Sequence, residues 1–127
     1  MAIERQAAPG SPRITLGRRG EEAALERYLD LGYRCLARNW RCPLGEIDLV
    51  LVKGGLVAFC EVKTRGGDGF GGGYEAVTWR KRAKLRQLGE AFLASRGLVP
   101  ASVRFDVASV RMRGGVRPDV VVFEDAF

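Results

Sequence analysis

The chain has 127 residues, 46% of them hydrophobic and 28% charged, which suffices for one domain with a buried core and argues against disorder throughout. Its 21 Lys and Arg against 15 Asp and Glu leave a net charge of +6, the balance of a protein that meets nucleic acid or an anionic membrane surface. It has no histidine, which excludes Ser-His-Asp and Cys-His catalysis and histidine-ligated zinc in their usual forms, so acid–base or metal chemistry must rest on carboxylates and lysine.

The opening "MAIERQAAPGSPR" lacks the apolar core of a secretory signal, and no stretch approaches the roughly 20 apolar residues that span a bilayer. Residues 1–13 are therefore expected to be a flexible tail and residues 14–127 a single domain, with no membrane partner. Cys35, Cys42 and Cys60 are odd in number and show no C-x-x-C spacing, so neither a disulfide framework nor a thiolate zinc site is expected and a reducing cytoplasm fits best.

The first predicted element is a helix from Leu16 to Leu31. Glu21, Leu25, Tyr28 and Gly32 recur at helical spacing, with Ala24 and Leu29 beside them, and Gly32 ends it. "YRCLAR", "EIDLVLV" and "LVAFCEVK" follow as three strands, the last two apolar on both faces as central strands are, and joined through Gly54-Gly55 as a hairpin. The glycine-rich "GGDGFGGG" at 66–73 is too loose in backbone entropy for regular structure. A second helix runs from Trp79 to Arg96, with Leu85, Leu88 and Phe92 on one stripe, Thr78 as its N-cap and Gly97 past its end. "SVRFDVASVRM" and "DVVVF" complete the sheet. The order α-β-β-β-α-β-β predicts one α/β domain with a central mixed sheet flanked by helices.

Four charges interrupt the apolar hairpin: Glu46, Asp48, Glu61 and Lys63. If Gly54-Gly55 are its two loop residues, Lys53 faces Leu56, Asp48 lies opposite Glu61, and Glu46 opposite Lys63, all on one face of the sheet. Opposed carboxylates repel and hold their charge only with a cation between them, and hard oxygen ligands suit Mg²⁺ or Mn²⁺. Glu21 lies on the apolar stripe of the first helix, whereas Glu22 is turned about 100° from it, so Glu21 would complete an acidic pocket if that helix covers the charged face. Lys63 beside a bound metal would orient water or stabilise charge on a phosphoryl oxygen. The competing interpretation is structural: a Glu46–Lys63 ion pair, Asp48 and Glu61 at strand ends, and a solvated Glu21.

"GEIDLVLVKGGLVAFCEVKTR" resembles the signature of the PD-(D/E)XK nucleases, with Asp48 as the first acid and Glu61-Val62-Lys63 as the E-x-K element. Together with "GRRGEEAA", "LGYRCLARNWR", "EAVTWRKRAKL" and "RFDV", the chain is similar from about Leu16 to Asp106 to the YraN-like family of small bacterial proteins, themselves similar to archaeal Holliday-junction resolvases. The resemblance implies a restriction-endonuclease-like fold, Asp48 and Glu61 as ligands of Mg²⁺ or Mn²⁺, Lys63 serving the attacking water, and Glu21 as the helix carboxylate. It leaves Glu46 open between second ligand and partner of Lys63. The proline of the general motif is replaced here by Ile47.

Arg80, Lys81, Arg82 and Lys84 crowd the start of the second helix, where the macrodipole is already positive; phosphate oxygens would relieve the repulsion. With Arg65 they form the candidate nucleic-acid-binding set, a solvated basic face being the alternative. Trp40 and Trp79 are weaker candidates for base stacking, and the glycine-rich loop for a lid. Asp106 fits the family pattern, but Arg104 two residues away makes a structural ion pair the better reading. The expectation is a divalent-metal-dependent endonuclease acting on DNA, including branched DNA, with the resolvase likeness raising a homodimer. The alternatives are a nucleic-acid-binding module that does not cut and a protein partner in DNA processing.

Overall fold

A computed structural model of the chain describes residues 12–66 and 79–127. They form α1 (Pro12–Asp30), β1 (Arg34–Cys42), β2 (Gly45–Lys53), β3 (Leu56–Gly66), α2 (Trp79–Arg96), β4 (Ser102–Arg113) and β5 (Val116–Phe123). The strands make one five-stranded sheet in sequence order. Only β3 and β4 run parallel, because α2 carries the chain back across the sheet between them; the other three neighbours are antiparallel. This is the expected mixed α/β architecture. α1 begins at Pro12, before the predicted Leu16, and a proline is tolerated there because the first N–H of a helix has no intrahelical partner. Gly66, the first residue of the glycine-rich stretch, ends β3; the rest of that stretch, residues 1–11 and Thr78 lie outside the described residues.

Each helix covers one face. Ala24 and Tyr28 of α1 pack on Leu49, Leu51, Ala58, Cys60, Ala108 and Val110. Leu88 and Phe92 of α2 pack on Ile47, Val50, Val57, Phe59, Phe105 and Val107 on the other side. Leu29 is exposed, not part of the α1 stripe. Both helices stop at the predicted glycines in the same way. At Gly32 (φ 96°) the Gly32 N–H reaches Leu29 O and the Tyr33 N–H reaches Tyr28 O; at Gly97 (φ 64°) the bonds are Gly97 to Ala94 and Leu98 to Leu93. Left-handed glycine lets the chain turn back and satisfy the last carbonyls. Tyr28 and Tyr33 seal the first turn edge to face, their rings 5.2 Å apart.

Gly20 sets how closely α1 lies on β3. A Cβ there would meet the Thr64 side chain, with the Thr64 Cβ only 2.9 Å away. Gly20→Ala is expected to lose about 1–3 kcal/mol through overpacking; urea unfolding checks this, and a loss below about 0.5 kcal/mol, the size of ordinary surface changes, would show that α1 is not pinned here.

Candidate functional site

The hairpin closes as the glycine pair dictates: Lys53 pairs with Leu56, Val52 with Val57, and so on to Leu49 with Cys60. Extending that register would set Asp48 against Glu61, but the ladder ends one step short. The Asp48 carboxylate instead accepts the Val62 N–H, Oδ2 to N 2.8 Å, taking the place of a strand carbonyl.

The cause lies on the neighbouring strand. Arg38 pairs with Leu49 and Trp40 with Ile47, so Asn39 stands opposite Asp48, and Asn39 has φ 51°, a left-handed conformation asparagine tolerates better than most residues. Around this point β2 changes face: Ile47 packs with the α2 cluster and Leu49 with the α1 cluster, although residues two apart in a regular strand share a face. Glu46 is thereby carried away from Lys63. It pairs across to Arg41, Nε to Oε1 3.5 Å, which corrects the expected Glu46–Lys63 contact.

Glu61 and Lys63 extend from β3 toward α2. Glu61 Oε2 lies 3.8 Å from Lys63 Nζ and 2.9 Å from Lys81 Nζ of α2. Glu61 Oε1 is buried with no hydrogen-bond partner among the described residues. Glu46, Asp48, Glu61, Lys81 and Lys84 line one pocket of about 300 Å³, floored by Ile47, Phe59 and Leu88. The charged face is thus covered by α2 and not by α1, a second correction. Glu21 reaches the rim from the other side, half-buried, its Oε1 accepting from Asn39 Nδ2 at 3.1 Å, while Glu22 is exposed and pairs with Arg38 at 3.1 Å. The predicted separation of these two neighbouring glutamates holds.

Burial drives the Asp48 carboxyl up from 3.8 to about 6; the Val62 N–H opposes this, and the charges of Glu21, Glu46 and Glu61 add to it. For Lys81, burial disfavours the ammonium but the Glu61 carboxylate outweighs it, and its pKa lies above the ordinary value.

Among the described residues no three His, Cys, Asp or Glu side chains gather closely enough to hold a metal ion; Glu46, on the pocket wall, pairs with Arg41. What remains is a pair. Asp48 and Glu61 are hard oxygen donors that repel each other in a half-buried pocket, and Glu61 Oε1 is a buried acceptor with no donor among the described residues. That donor set fits a hard divalent cation with further ligands from water or substrate.

Of the predicted phosphate-binding residues, Arg80 and Arg82 are exposed, Lys84 lines the pocket, and Arg65 is half-buried on β3. The first turn of α2 contains no acid to offset them. Lys81 belongs to the acidic cluster itself, which spacing along the helix could not reveal because Glu61 is 20 residues away in sequence. Asn39 was also missed; its one signal is its place between Arg38 and Trp40 in the "LARNWR" stretch. Trp40 is half-buried and packs edge-on against Phe92, ring centres 5.3 Å apart. Asp106 is fully buried and bound to Arg104, as expected.

Fold and site together define a small α/β protein whose central strands end in a carboxylate–lysine pocket under a basic helix. Residues 20–110 match the model of the "Uncharacterised protein family UPF0102". The chain is 51% identical over 94 residues to a UPF0102 protein of Moorella thermoacetica, covering 74% of this chain and 78% of that one. It is 46% identical over 111 residues to one of Mycolicibacterium smegmatis (86% and 90%), and 42% identical over 131 aligned positions to one of Acidothermus cellulolyticus (95% and 99%). The chain belongs to this family, in agreement with the YraN-like motifs. Among the described residues no helix is long and apolar enough to cross a membrane.

Proposed function

We propose that the protein is a divalent-metal-dependent endonuclease that hydrolyses phosphodiester bonds in DNA, branched DNA included, in the cytoplasm. The observation that carries this reading is the meeting of Asp48, Glu61 and Lys81 in one pocket at the cation-rich start of α2, with the Lys63 ammonium group 3.8 Å from Glu61. Its support from sequence is the match of Asp48 and Glu61-Val62-Lys63 to the PD-(D/E)XK pattern.

Asp48 and Glu61 would hold Mg²⁺ or Mn²⁺, with Glu46 as a further carboxylate once it leaves Arg41. Such a cation, when bound, supplies Lewis-acid stabilisation of phosphoryl charge and lowers the pKa of water. Lys63 orients the attacking water or offsets developing negative charge. Glu21 keeps Asn39 in its left-handed conformation, and so holds the distortion that aims Asp48. Arg80, Arg82 and Lys84, with Arg65, fix the phosphate backbone, positioning the strand without reading its sequence. Cutting both strands of a symmetric junction takes two such sites, hence a homodimer.

A second reading, a nucleic-acid-binding module that does not cut, is favoured by one observation: Glu61 already has two lysines as counter-ions, and among the described residues no three metal-ligating side chains stand close enough to share an ion. End-labelled four-way junction, flap, duplex and single-stranded DNA, incubated with Mg²⁺ or Mn²⁺, separate the two. Cleavage by the native chain that is lost in Asp48→Asn, Glu61→Gln and Lys63→Ala is the expected result. Salt-sensitive binding without cleavage by any version would establish the binding module instead.

A further inference from the structure

The pocket carries its own substitute for a metal. Glu46, Asp48 and Glu61 line it, the charge of Glu21 reaches Asp48 from the rim, and three lysines stand against them, Lys81 and Lys84 on its wall and Lys63 beside Glu61. The strongest pairing joins two elements: Lys81 Nζ of α2 lies 2.9 Å from Glu61 Oε2 of β3, whereas Lys63, on the same strand as Glu61, is 3.8 Å from that oxygen. Lys81 is 39% exposed, so its long side chain has room to leave, and it sits among Arg80, Arg82 and Lys84, where a phosphate backbone would lie. Lys84 lines the same pocket but is not one of the lysines within ion-pair distance of Glu61.

We infer that Lys81 is an exchangeable counter-ion that couples the two ligands of the site: it neutralises Glu61 when no divalent cation is bound, and is handed to a nucleic-acid phosphate when one is. This rests on the reading of the site as one for metal and nucleic acid. A phosphate that draws Lys81 away frees Glu61 Oε2 for the cation, and a cation on Glu61 frees Lys81 for the phosphate. Each ligand therefore tightens the other, by the same factor in both directions. Without Lys81 only the longer Lys63 contact is left on Glu61 Oε2. Metal alone should then bind more tightly, because it no longer competes with the closer ammonium group, and DNA should add much less to its affinity.

The test measures Mn²⁺ affinity by calorimetry, with and without a short phosphorothioate DNA duplex that resists cleavage, in the native chain, Lys81→Ala and Arg86→Ala. Arg86 is exposed on the same helix and lies outside the pocket, over the Phe105 ring, so Arg86→Ala removes one positive charge from α2 without opening Glu61. Lys81→Ala is expected to bind Mn²⁺ alone about 5- to 10-fold more tightly, the lower range of ordinary coupling factors, with Arg86→Ala changing it less than about 2-fold. DNA should tighten Mn²⁺ binding in the native chain and in Arg86→Ala, and much less in Lys81→Ala, where only direct contact of a phosphate with the metal remains. Equal effects of the two substitutions, or coupling in Lys81→Ala as large as in the native chain, would overturn the role of Lys81 while leaving the metal site standing. Absence of Mn²⁺ binding in every version, with or without DNA, would overturn both the metal site and the exchange. Thermal unfolding of each variant identifies any loss due to misfolding, and Lys81→Gln, which retains a polar side chain, is expected to behave as Lys81→Ala.

Discussion

Asp106→Ala is expected to destabilise the fold by about 3–5 kcal/mol, the range for stripping one partner from a buried ion pair. Asp106 is 0% exposed, and its carboxylate accepts four hydrogen bonds from three directions: Tyr28 Oη at 2.7 Å, Arg104 Nε and Nη2 at 2.8 and 2.9 Å, and the Asp125 N–H at 3.0 Å. It thus ties α1, β4 and the C-terminal segment together. Alanine would leave the Arg104 guanidinium, only 17% exposed, with the exposed Glu124 at 3.7 Å as a distant acid and Tyr33 Oη as acceptor, and the buried Tyr28 hydroxyl without its acceptor. Against a total stability of about 5–15 kcal/mol, a loss of this size brings the variant close to unfolding at ambient temperature. The thermal midpoint should fall by roughly 10–20 °C for a chain of this length. Differential scanning calorimetry at neutral pH reads this directly. Replacing both partners, Arg104→Met with Asp106→Leu, should recover much of the loss, since a buried pair exchanged for apolar groups is often neutral; the Tyr28 hydroxyl accounts for the remainder. A loss under about 1 kcal/mol in Asp106→Ala, within the range of an ordinary hydrogen bond, would mean that the network is not structural.

The same residue shows what could be read in advance. Arg104 and Asp106 are two apart on one strand, so period-two alternation put them on one face and made an ion pair the natural expectation. Tyr28, 78 residues away, could not be foreseen as the third member. The hairpin register was likewise legible as far as Leu49 and Cys60, because a two-glycine turn fixes the pairing of everything that remains regular. Beyond that point legibility ended, and the reason is specific. Asn39 takes up a left-handed φ on β1, so the effect on Asp48 is imposed by a different strand. Nothing in "GEIDLVLV" alone records it. The helix covering the charged face was misjudged for a related reason. Glu21 does face inward, but to Asn39 at the rim, and the parallel crossover through α2 brings Lys81 to Glu61. Charge identity on a helix was visible; which sheet face it would cover depended on the crossover.

Asp48 is expected to make the native chain less stable as pH rises, the reverse of an ordinary aspartate. Its folded pKa, about 6, lies above its unfolded value near 3.8, so the folded state holds the proton more firmly. The favourable contribution is therefore complete below about pH 4, fades between about pH 4 and 6, and is absent above. The shift corresponds to about 3 kcal/mol at 1.36 kcal/mol per unit, and partial solvent access reduces this to about 2 kcal/mol. Asp48→Asn removes the charge but keeps an oxygen to accept the Val62 N–H. In urea unfolding the variant should exceed the native chain by about 1–2 kcal/mol at pH 8 and show little or no advantage at pH 4. A stability difference between the two chains that does not change with pH would refute the raised pKa. The same experiment bears on function, since a binding residue kept at the expense of stability is what an active site requires. Mg²⁺ at pH 8 should narrow the gap by stabilising the native chain through its ionised Asp48, and should do so far less for the variant, which has one carboxylate fewer to offer. A gap unmoved by Mg²⁺ and Mn²⁺ would leave the strained carboxylate as a structural feature without a cation to serve.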